Sequence, residues 1–335
     1  MSLQGMRVLI TGGAGYVGSA LVPALAREGA AVTVLDRMVF GNFLPPQENV
    51  EVVAGDVRDR ALVRRLVPGH DAVIHLAFLS LDSDYEVGGA VAREVNEGGL
   101  LNVLAACRAA GVERLIYPSS CSVYGAVPGD RLVDEAGATA PLTDYARYKL
   151  STERHLLAAD GLCRTIVRKA TICGRAPRQR LDLTVNRMTA QAVCTGRIQV
   201  SRPERVRPSL HVQDACRLYR ALLAAPVERV DGQIYNAAFE SRTVLALAEL
   251  VRDEVPGTEV AVAELPGGDT RSYRVCSDKL RRDLGFEPRF TVREAIAEVR
   301  AALAGGAFSE PLEAACFHNA RGQREHDWSA VPVTG

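Results

Sequence analysis

Residues 7–18 read RVLITGGAGYVG, and this stretch decides the fold that the sequence predicts. A short apolar run ends in three spaced glycines, Gly12, Gly15 and Gly18, and a helical pattern follows them directly. The first glycine allows a tight turn, the second lets the backbone approach a pyrophosphate, and the third lets the helix pack on the strand. The N–H groups at the start of such a helix face the phosphates. Taken alone, the same stretch also fits a plain glycine-rich turn.

The acidic residue at the end of the next apolar run favours a dinucleotide site over that plain turn. Residues 31–35 are apolar and lead to Asp36, where a carboxylate can accept hydrogen bonds from a ribose 2′-hydroxyl and repel a 2′-phosphate. This favours NAD over NADP, although Arg37 beside it could accommodate a phosphate. A third run ends near Asp56 and Val57, where an adenine ring would lie. The alternative for Asp56 is a simple loop cap.

The alternation of apolar runs and helical patterns continues along the first half of the chain. The further runs cover residues 50–54, 72–76, 115–117 and 164–168. Continuous apolar strands separated by helices predict a parallel sheet covered on both faces. Because crossovers between parallel strands are right-handed, the expected fold is α/β, a doubly wound, Rossmann-like sheet.

The alternation of apolar runs and helical patterns becomes less regular after Gly174, which indicates that the chain has two domains. We expect an NAD-binding domain over residues 1–172 and a smaller, mainly substrate-binding domain over residues 173–335. The chain is expected to return to the first domain around residues 206–240. Residues 291–304 read as a final amphipathic helix, followed by a tail after residue 305 that is packed or irregular.

The composition excludes several classes of protein. The 335 residues are 47% hydrophobic and 24% charged, as in ordinary globular proteins. Lys+Arg and Asp+Glu number 40 each, so no basic field attracts nucleic acid. No apolar run is long enough for a membrane span, and the first residues lack a signal-peptide core. The eight cysteines include no Cys-x-x-Cys pair. We therefore expect a cytoplasmic protein with reduced thiols, no membrane association and no metal site.

A phenol and an ammonium stand four residues apart at Tyr145 and Lys149. On a helix this spacing places both side chains on one face. Free tyrosine titrates near pH ~10, and moving its pKa to ~7 takes about 4 kcal/mol. The ammonium could supply part of this stabilisation, and an oxidised nicotinamide could supply more. Without a cofactor site beside them, the two residues also fit a solvated helical face.

These motifs resemble the extended short-chain dehydrogenase/reductase family, and most closely its nucleotide-sugar epimerase/dehydratase branch. The resemblance rests on the glycine loop, on the segment SSCSVYG at residues 119–125, and on Tyr145 with Lys149. It extends from about residue 6 to about residue 288. The other matching positions are Asn96, Asn102, residues 168–174, residues 207–214, Tyr235, Asn236, Asp269 and Arg271.

The resemblance implies a role for each matching residue. Tyr145 would be the catalytic base, Lys149 would lower its pKa, and Ser120 would hydrogen-bond the reacting oxygen. The implied cofactor is NAD, with contacts from Gly12, Gly15, Tyr16, Val17, Gly18, Asp36, Arg37, Asp56, Val57, Leu76, Ala77, Tyr145, Lys149 and Ala170. A nucleotide-diphosphate sugar would contact Thr171, Arg207 and Arg271. The helical faces near residues 96–110 and 151–159 would form a homodimer interface, and the alternative is that they pack only on their own sheet.

The residues that follow Ser120 in the segment 119–125 narrow the range of reactions that the resemblance implies. Family members that remove water carry Asp and Glu at the positions of Cys121 and Ser122, and members that epimerise carbons 3 and 5 carry a cysteine at the position of Ser122. This chain lacks all of these groups, and Cys121 reads as a small core thiol. Ser120, Tyr145 and Lys149 suffice for a 4-epimerase that oxidises and re-reduces the sugar at C4. The alternatives are an NAD(P)H-dependent 4-keto-sugar reductase, an atypical dehydratase, and a non-catalytic NAD-binding regulator.

Two departures leave the sugar and the nucleotide open. The family's usual Asn is here Thr171, and its common Gly-Asp-Gly stretch is here replaced by residues 201–204. We interpret His75 and His211 as structural.

Overall fold

The computed structural model describes residues 2–80, 89–127, 129, 131–263 and 271–329. Asp269, one of the positions matching the family, lies outside the described residues. The strands are β1 (Arg7–Thr11), β2 (Ala31–Asp36), β3 (Val50–Ala54), β4 (Ala72–His75), β5 (Arg114–Ser120), β6 (Leu132–Val133), β7 (Cys163–Lys169), β8 (Thr171–Cys173), β9 (Arg197–Val200), β10 (Val206–His211), β11 (Gln233–Ala237), β12 (Glu240–Thr243), β13 (Glu259–Val262) and β14 (Arg274–Val275).

The helices alternate with these strands through the first half of the chain. They are α1 (Tyr16–Arg27), α2 (Arg60–Leu66), α3 (Gly89–Arg93), α4 (Gly99–Ala110), α5 (Asp144–Leu157), α6 (Thr184–Thr195), α7 (Val212–Ala224), α8 (Val227–Val230), α9 (Val244–Glu254), α10 (Asp278–Leu284), α11 (Val292–Ala304) and α12 (Asn319–Glu325). A π-helical turn, Glu94–Gly98, leads into α4, and 3₁₀ turns cover Cys121–Tyr124 and Ala315–Phe317.

Seven parallel strands form the main sheet, in the order β11-β7-β5-β4-β1-β2-β3. The chain starts in the interior at β1, winds outward to β3, and then returns past β1 to β4. This reversal confirms the predicted doubly wound, Rossmann-like fold. It also opens a crevice at the carboxyl ends of β1 and β4, where ligands bind in such sheets.

The apolar runs supply the two faces of this sheet. Val8 and Ile10 point into a core shared with α1 and α7, whereas Leu9 between them points into a second core shared with α2 and α4. Because successive side chains of a strand point to opposite faces, a run that is apolar throughout is buried on both sides. Leu9 and Ile10 are accordingly fully buried.

The second half of the chain builds smaller sheets beside this crevice. β12, β10 and β8 form a three-stranded sheet, and β13 and β9 form a two-stranded sheet. The boundary expected after residue 172 falls inside β8. Within residues 206–240, β10 belongs to the small sheet, whereas α7 packs on α1 and β11 joins the main sheet. Helices α6, α9 and α11 enclose a separate apolar core through Met188, Leu247 and Ile296.

The end of the chain differs from its prediction. Helix α11 forms as expected, with Thr291 and Glu294 in a capping box, but the prediction that it is the final helix is wrong because α12 follows it. Phe308 and Phe317 pack on Leu181 and Val299 and carry the tail back across the molecule. Among the residues that the structure describes, no helix combines the length and apolar character that crossing a bilayer requires.

Candidate active site

A cleft of about 970 Å³ lies over the carboxyl edge of the main sheet. Every residue that the sequence assigned to catalysis, cofactor binding or substrate binding lines this cleft. They are Gly12, Gly15, Tyr16, Val17, Gly18, Asp36, Arg37, Asp56, Val57, Leu76, Ala77, Ser120, Tyr145, Lys149, Ala170, Thr171, Arg207 and Arg271. The structure therefore brings together groups that are far apart in the sequence.

The glycine loop is built for close backbone approach. Gly12 has a φ of 72°, and a Cβ there would lie 2.5 Å from the backbone nitrogen of Ala77. A Cβ on Gly18 would lie 2.4 Å from the carbonyl oxygen of Gly13, so any larger residue would push α1 off β1. Gly15 precedes α1 and no side chain caps this helix. The first N–H groups of α1 are thus oriented toward an anion in the cleft, which fits a pyrophosphate.

The Tyr16 side chain has a different role from its backbone. Its hydroxyl donates to the carbonyl oxygen of Gly174 at 2.6 Å and accepts from the Asn186 amide at 3.1 Å. Burial raises the pKa of this phenol well above its usual value. The side chain therefore ties α1 to the segment after β8, and only its backbone remains for the pyrophosphate.

Asp36 ends β2 with its carboxylate held in place by the backbone. It accepts from the N–H groups of Ala14 at 3.0 Å and Met38 at 2.8 Å, and burial raises its pKa. A fixed carboxylate beside the glycine loop can accept from ribose hydroxyls, so these residues fit NAD.

Arg37 bonds to residues that are far from it in the sequence. Its guanidinium pairs with Asp56, donates to His326 Nε2 at 2.7 Å, and donates to the carbonyl oxygen of Asp327 at 2.7 Å. The contact with a 2′-phosphate that the sequence left open has no support here, because these partners hold the guanidinium.

Asp56 has the backbone contact of a loop cap and also lines the cleft. It accepts from the Arg58 backbone at 2.8 Å, as a loop cap does, and it forms ion pairs with both Arg37 and Arg58 while lining the cleft. Burial acts to raise the pKa of Asp56, but the hydrogen bonds from Arg58 and Arg37 outweigh it and lower the pKa. The ion pairs hold this carboxylate at the wall beside Val57.

The catalytic candidates Tyr145 and Lys149 lie on one face of α5. Thr143 caps the helix by accepting from the N–H of Ala146, which starts α5 just before Tyr145. The Lys149 ammonium donates to the carbonyl oxygen of Pro118 at 2.8 Å and lies 5.9 Å from the centre of the Tyr145 ring. Burial, with a contribution from the Lys169 charge, lowers the pKa of Lys149 well below its usual value. An anion formed beside Lys149 relieves that cost, and a Tyr145 phenolate is such an anion.

Ser120 ends β5 with its hydroxyl oxygen already occupied as an acceptor. It accepts from the backbone nitrogen of Ser122 at 3.2 Å and from the Ser122 hydroxyl at 2.9 Å. The Ser120 proton is therefore left to donate into the cleft. The prediction for Cys121 is confirmed: its thiol is fully buried and contacts the carbonyl oxygen of Arg168 at 3.1 Å.

The candidate substrate residues line the cleft from segments that follow β7 in the chain. Thr171 opens β8, and Arg207 lies on β10. The Arg207 guanidinium donates to the carbonyl oxygens of Val206 and Arg271, so Arg207 and Arg271 are held next to each other. Both arginines line the cleft, and guanidinium groups in a cleft wall suit a diphosphate.

Both histidines that the sequence favoured as structural have buried positions. His75 Nδ1 lies 2.7 Å from the Thr11 hydroxyl, and burial lowers its pKa to about 3. His211 caps α7 through the N–H of Gln213 and stacks on Phe290 at 4.8 Å between ring centres. Within the described part of the chain, no group of three His, Cys, Asp or Glu side chains could hold a metal ion.

Sequence reasoning missed the roles of three parts of the site. Ser122 orients Ser120, Lys169 stands in the wall, and the tail around Asn319 and Trp328 closes one side. Only Ser122 had a local signal, since it lies two residues after Ser120. The other two depend on strand register and on contacts from the far end of the chain.

Known proteins resemble this chain over most of its length. Residues 8–238 match the NAD dependent epimerase/dehydratase family. The chain is 31% identical to a dTDP-glucose 4,6-dehydratase of Streptomyces niveus, over 88% of this chain and 91% of the relative. It is 29% identical to a UDP-glucose 4-epimerase of Azospirillum brasilense, over 89% and 91%. The structure of DesIV, a dTDP-glucose 4,6-dehydratase from Streptomyces venezuelae with NAD bound, superposes with a TM-score of 0.81 at 26% identity, over 92% of this chain and all of that one. The chain is thus an enzyme of the NAD-dependent epimerase/dehydratase family.

Proposed function

We propose that this enzyme is an NAD-dependent nucleotide-sugar 4-epimerase that acts by transient oxidation at the sugar C4. The supporting observation is the pairing of Ser120, Tyr145 and Lys149 in one cleft without a carboxylate beside them. The positions that carry Asp and Glu in dehydrating relatives hold the buried Cys121 thiol and the Ser122 hydroxyl, which is bonded to Ser120. Removal of water across two carbons needs an added acid and base, and this loop supplies neither.

The carboxylates elsewhere in the cleft are committed to other contacts. Asp36 accepts two backbone N–H groups, Asp56 pairs with Arg37 and Arg58, and Asp182 pairs with Arg180 at 2.8 Å. Among the described residues that line the cleft, the remaining carboxylate belongs to Glu325 in the tail. This supports chemistry at a single secondary alcohol over dehydration.

In the proposed mechanism the Tyr145 phenolate accepts the proton of the sugar 4-hydroxyl. Lys149 stabilises the phenolate, and Ser120 donates its free proton to the reacting oxygen as that oxygen gains carbonyl character. Bound NAD supplies a reversible hydride acceptor. After the keto sugar turns over in the cleft, Tyr145 returns the proton to the same oxygen. Arg207 and Arg271 hold the diphosphate, which anchors the substrate while its sugar rotates.

The same proposal includes a cytoplasmic homodimer. Leu101 on α4 and Leu157 on α5 are 43% and 41% exposed, on the two helices whose faces the family resemblance assigned to a dimer interface. Exposed leucines on two neighbouring helices are a typical start for an interface core. All eight cysteines are free thiols, which fits a reducing compartment.

The decisive experiment follows the cofactor and the product together. The purified protein is examined for retained NAD and is then incubated with UDP- and dTDP-linked hexoses, with product configuration read by NMR. A 4-epimerase gives the C4 epimer without net formation of NADH. Stoichiometric consumption of NADH or NADPH by a 4-keto sugar would establish a reductase instead. A product lighter by one water would establish a dehydratase, and NAD binding without any turnover would establish a regulator.

A further inference from the structure

Lys169 lines the cleft next to Ser120, on the neighbouring strand. Strands β5 and β7 are parallel neighbours, and their register pairs Ser120 with Lys169. The preceding pair, Ser119 with Arg168, points to the other face, where both side chains bond Glu153. Because side chains alternate along a strand, Ser120 and Lys169 share the face that opens into the cleft, and both line it.

The Lys169 ammonium differs in its contacts from the cations around it. Within the described residues it takes part in no ion pair and no side-chain hydrogen bond, whereas Arg168 pairs with Glu153 and Arg180 pairs with Asp182. The charged groups that act on it are the cations Lys149 of α5 and Arg180 in the loop before α6, and the titratable neighbour is the Cys121 thiol after β5. Burial first, and the Arg180 charge second, lower the pKa of Lys169 to about 8.

An unpaired cation in such a place costs stability unless something binds it. A half-buried charge beside two like charges destabilises the empty cleft, and a neutral side chain of similar length would not. An anion that arrives with a ligand removes this cost. Strongly perturbed groups of this kind concentrate at binding and catalytic sites.

The position indicates where that anion lies on the ligand. Neighbouring strands are about 4.8 Å apart, so Lys169 reaches substituents of the same sugar ring whose reacting oxygen Ser120 contacts. In the proposed function the diphosphate is bound by Arg207, which lies on β10, and by Arg271. Neither residue lies on β7, the strand that carries Lys169. We propose that Lys169 is a specificity-determining residue that binds a carboxylate on the sugar, so that the preferred substrate is a nucleotide-linked uronic acid. The proposal rests on the proposed function, because it presumes a nucleotide sugar in this cleft.

Binding of a carboxylate by Lys169 has a distinct pH signature. The ammonium must be protonated to bind the anion, and in the free protein it loses its proton near pH 8. The affinity for the uronic acid should therefore fall above that pH, by up to about tenfold per unit, while the affinity for the matching neutral sugar lacks this component. Burial raises the pKa of Cys121 far above this range, so the thiol adds no charge there.

The test compares two substitutions at Lys169 in the NAD-saturated protein. Dissociation constants are measured by calorimetry for UDP-glucuronate and UDP-glucose, and for the two dTDP-linked sugars. Lys169→Met removes the charge and should reduce the preference for glucuronate over glucose by about 10- to 100-fold, as expected for a charged hydrogen bond. Lys169→Arg should restore most of that preference. Lys279→Met is the matched control, since Lys279 lies outside the cleft and donates to the carbonyl oxygen of Ile234.

The outcomes separate this inference from the proposed function. If the wild type binds both sugars and Lys169→Met weakens them equally, or leaves the preference and its pH dependence unchanged, Lys169 does not read a carboxylate, while the epimerase proposal stands. If Lys169→Met instead weakens NAD binding, the ammonium serves the cofactor and the inference is overturned. If none of the four nucleotide sugars binds to the wild type, the proposed function fails and this inference fails with it.

Discussion

Arg168 and Glu153 form a buried, two-pronged ion pair. The guanidinium donates to both carboxylate oxygens at 2.7 to 3.2 Å, and the two side chains are 5% and 2% exposed. The Ser119 hydroxyl donates to the same carboxylate. Glu153 lies one turn after Lys149 on α5, and Arg168 precedes Lys169 on β7. The pair therefore fixes the helix with the base against the strands that carry Ser120 and Lys169.

Glu153→Gln should lower the free energy of unfolding by about 3 kcal/mol, because it leaves the Arg168 charge buried without a partner. Chemical denaturation at neutral pH measures this. Asp144→Asn is the matched control, since it breaks the exposed pair with Arg147 on the same helix and should cost less than about 1 kcal/mol. An equal loss of unfolding free energy in the two variants would show that the buried pair contributes no more to stability than the exposed pair.

Tyr145→Phe should reduce turnover by at least about a thousandfold, because it removes the group that accepts and returns the proton. NAD binding and the melting temperature should stay near those of the wild type. Tyr148→Phe is the control, since that hydroxyl donates to the carbonyl oxygen of Gly89 away from Ser120. Near-normal turnover by Tyr145→Phe would sink the mechanism.

The sequence predicted the main sheet well because its signals are local. The apolar run before Gly12 and the run before Asp36 are each bounded by residues with strong conformational preferences, so β1 and β2 appear where the pattern placed them. The position of Lys169 was not predictable in the same way. Its place beside Ser120 follows from the register of β5 and β7, which no local pattern encodes.

The ionic contacts of Arg37 were likewise not predictable from its neighbours in the sequence. Its sequence neighbour Asp36 suggested a choice between NAD and NADP, but the guanidinium bonds to Asp56, 19 positions away, and to His326, 289 positions away. Helix α12 was missed because its sequence, NARGQRE, has no apolar periodicity. It is held by tertiary contacts instead, such as the bond from the Asn319 backbone to Asp182.

Asp36→Asn should shift the cofactor preference toward NADP. The amide keeps one oxygen, which can accept from either Ala14 or Met38 instead of both, and it removes the charge that repels a 2′-phosphate. We expect NAD to bind about tenfold more weakly and the ratio of NADP to NAD affinity to rise, as measured by calorimetry. Asp59→Asn, at the cap of α2, should leave both affinities unchanged. An unaltered ratio in Asp36→Asn would remove Asp36 from cofactor selection.

His75 should make the fold sensitive to acid. Burial, with a smaller effect of the Lys149 charge, lowers its pKa to about 3, whereas an unfolded histidine titrates near ~6.5. Between these values the unfolded chain binds the extra proton, so this contribution to stability is complete above pH ~6.5 and is lost as the pH falls toward 3. The loss approaches about 1.4 kcal/mol per pH unit. His75→Gln should flatten this slope in denaturation curves between pH 6.5 and 4.5, whereas His155→Gln, an exposed control on α5, should not.

Trp328 should enable the tail to slow the release of the cofactor. The indole ring lies 5.0 Å from the Arg37 guanidinium carbon and 5.9 Å from that of Arg58, the two residues paired with Asp56, and it lines the cleft. Each such cation–π contact contributes about 0.5–1 kcal/mol, so the loss of both in Trp328→Ala should release NAD roughly 5- to 30-fold faster. Trp328→Phe keeps a ring there and should stay within about twofold of the wild type.

Trp328 is the single tryptophan of the chain, so its own emission reports whether the tail stays docked when NAD binds. A change in that emission on addition of NAD, together with faster release in Trp328→Ala measured by displacement of bound NAD, would establish the tail as part of the cofactor site. Emission that ignores NAD and an unchanged release rate would mean that Trp328 only packs on the Arg37 and Arg58 side chains. Because Arg37 also bonds to His326 and to the carbonyl oxygen of Asp327, His326→Ala should act in the same direction as Trp328→Ala and more weakly, since it leaves the ring in place.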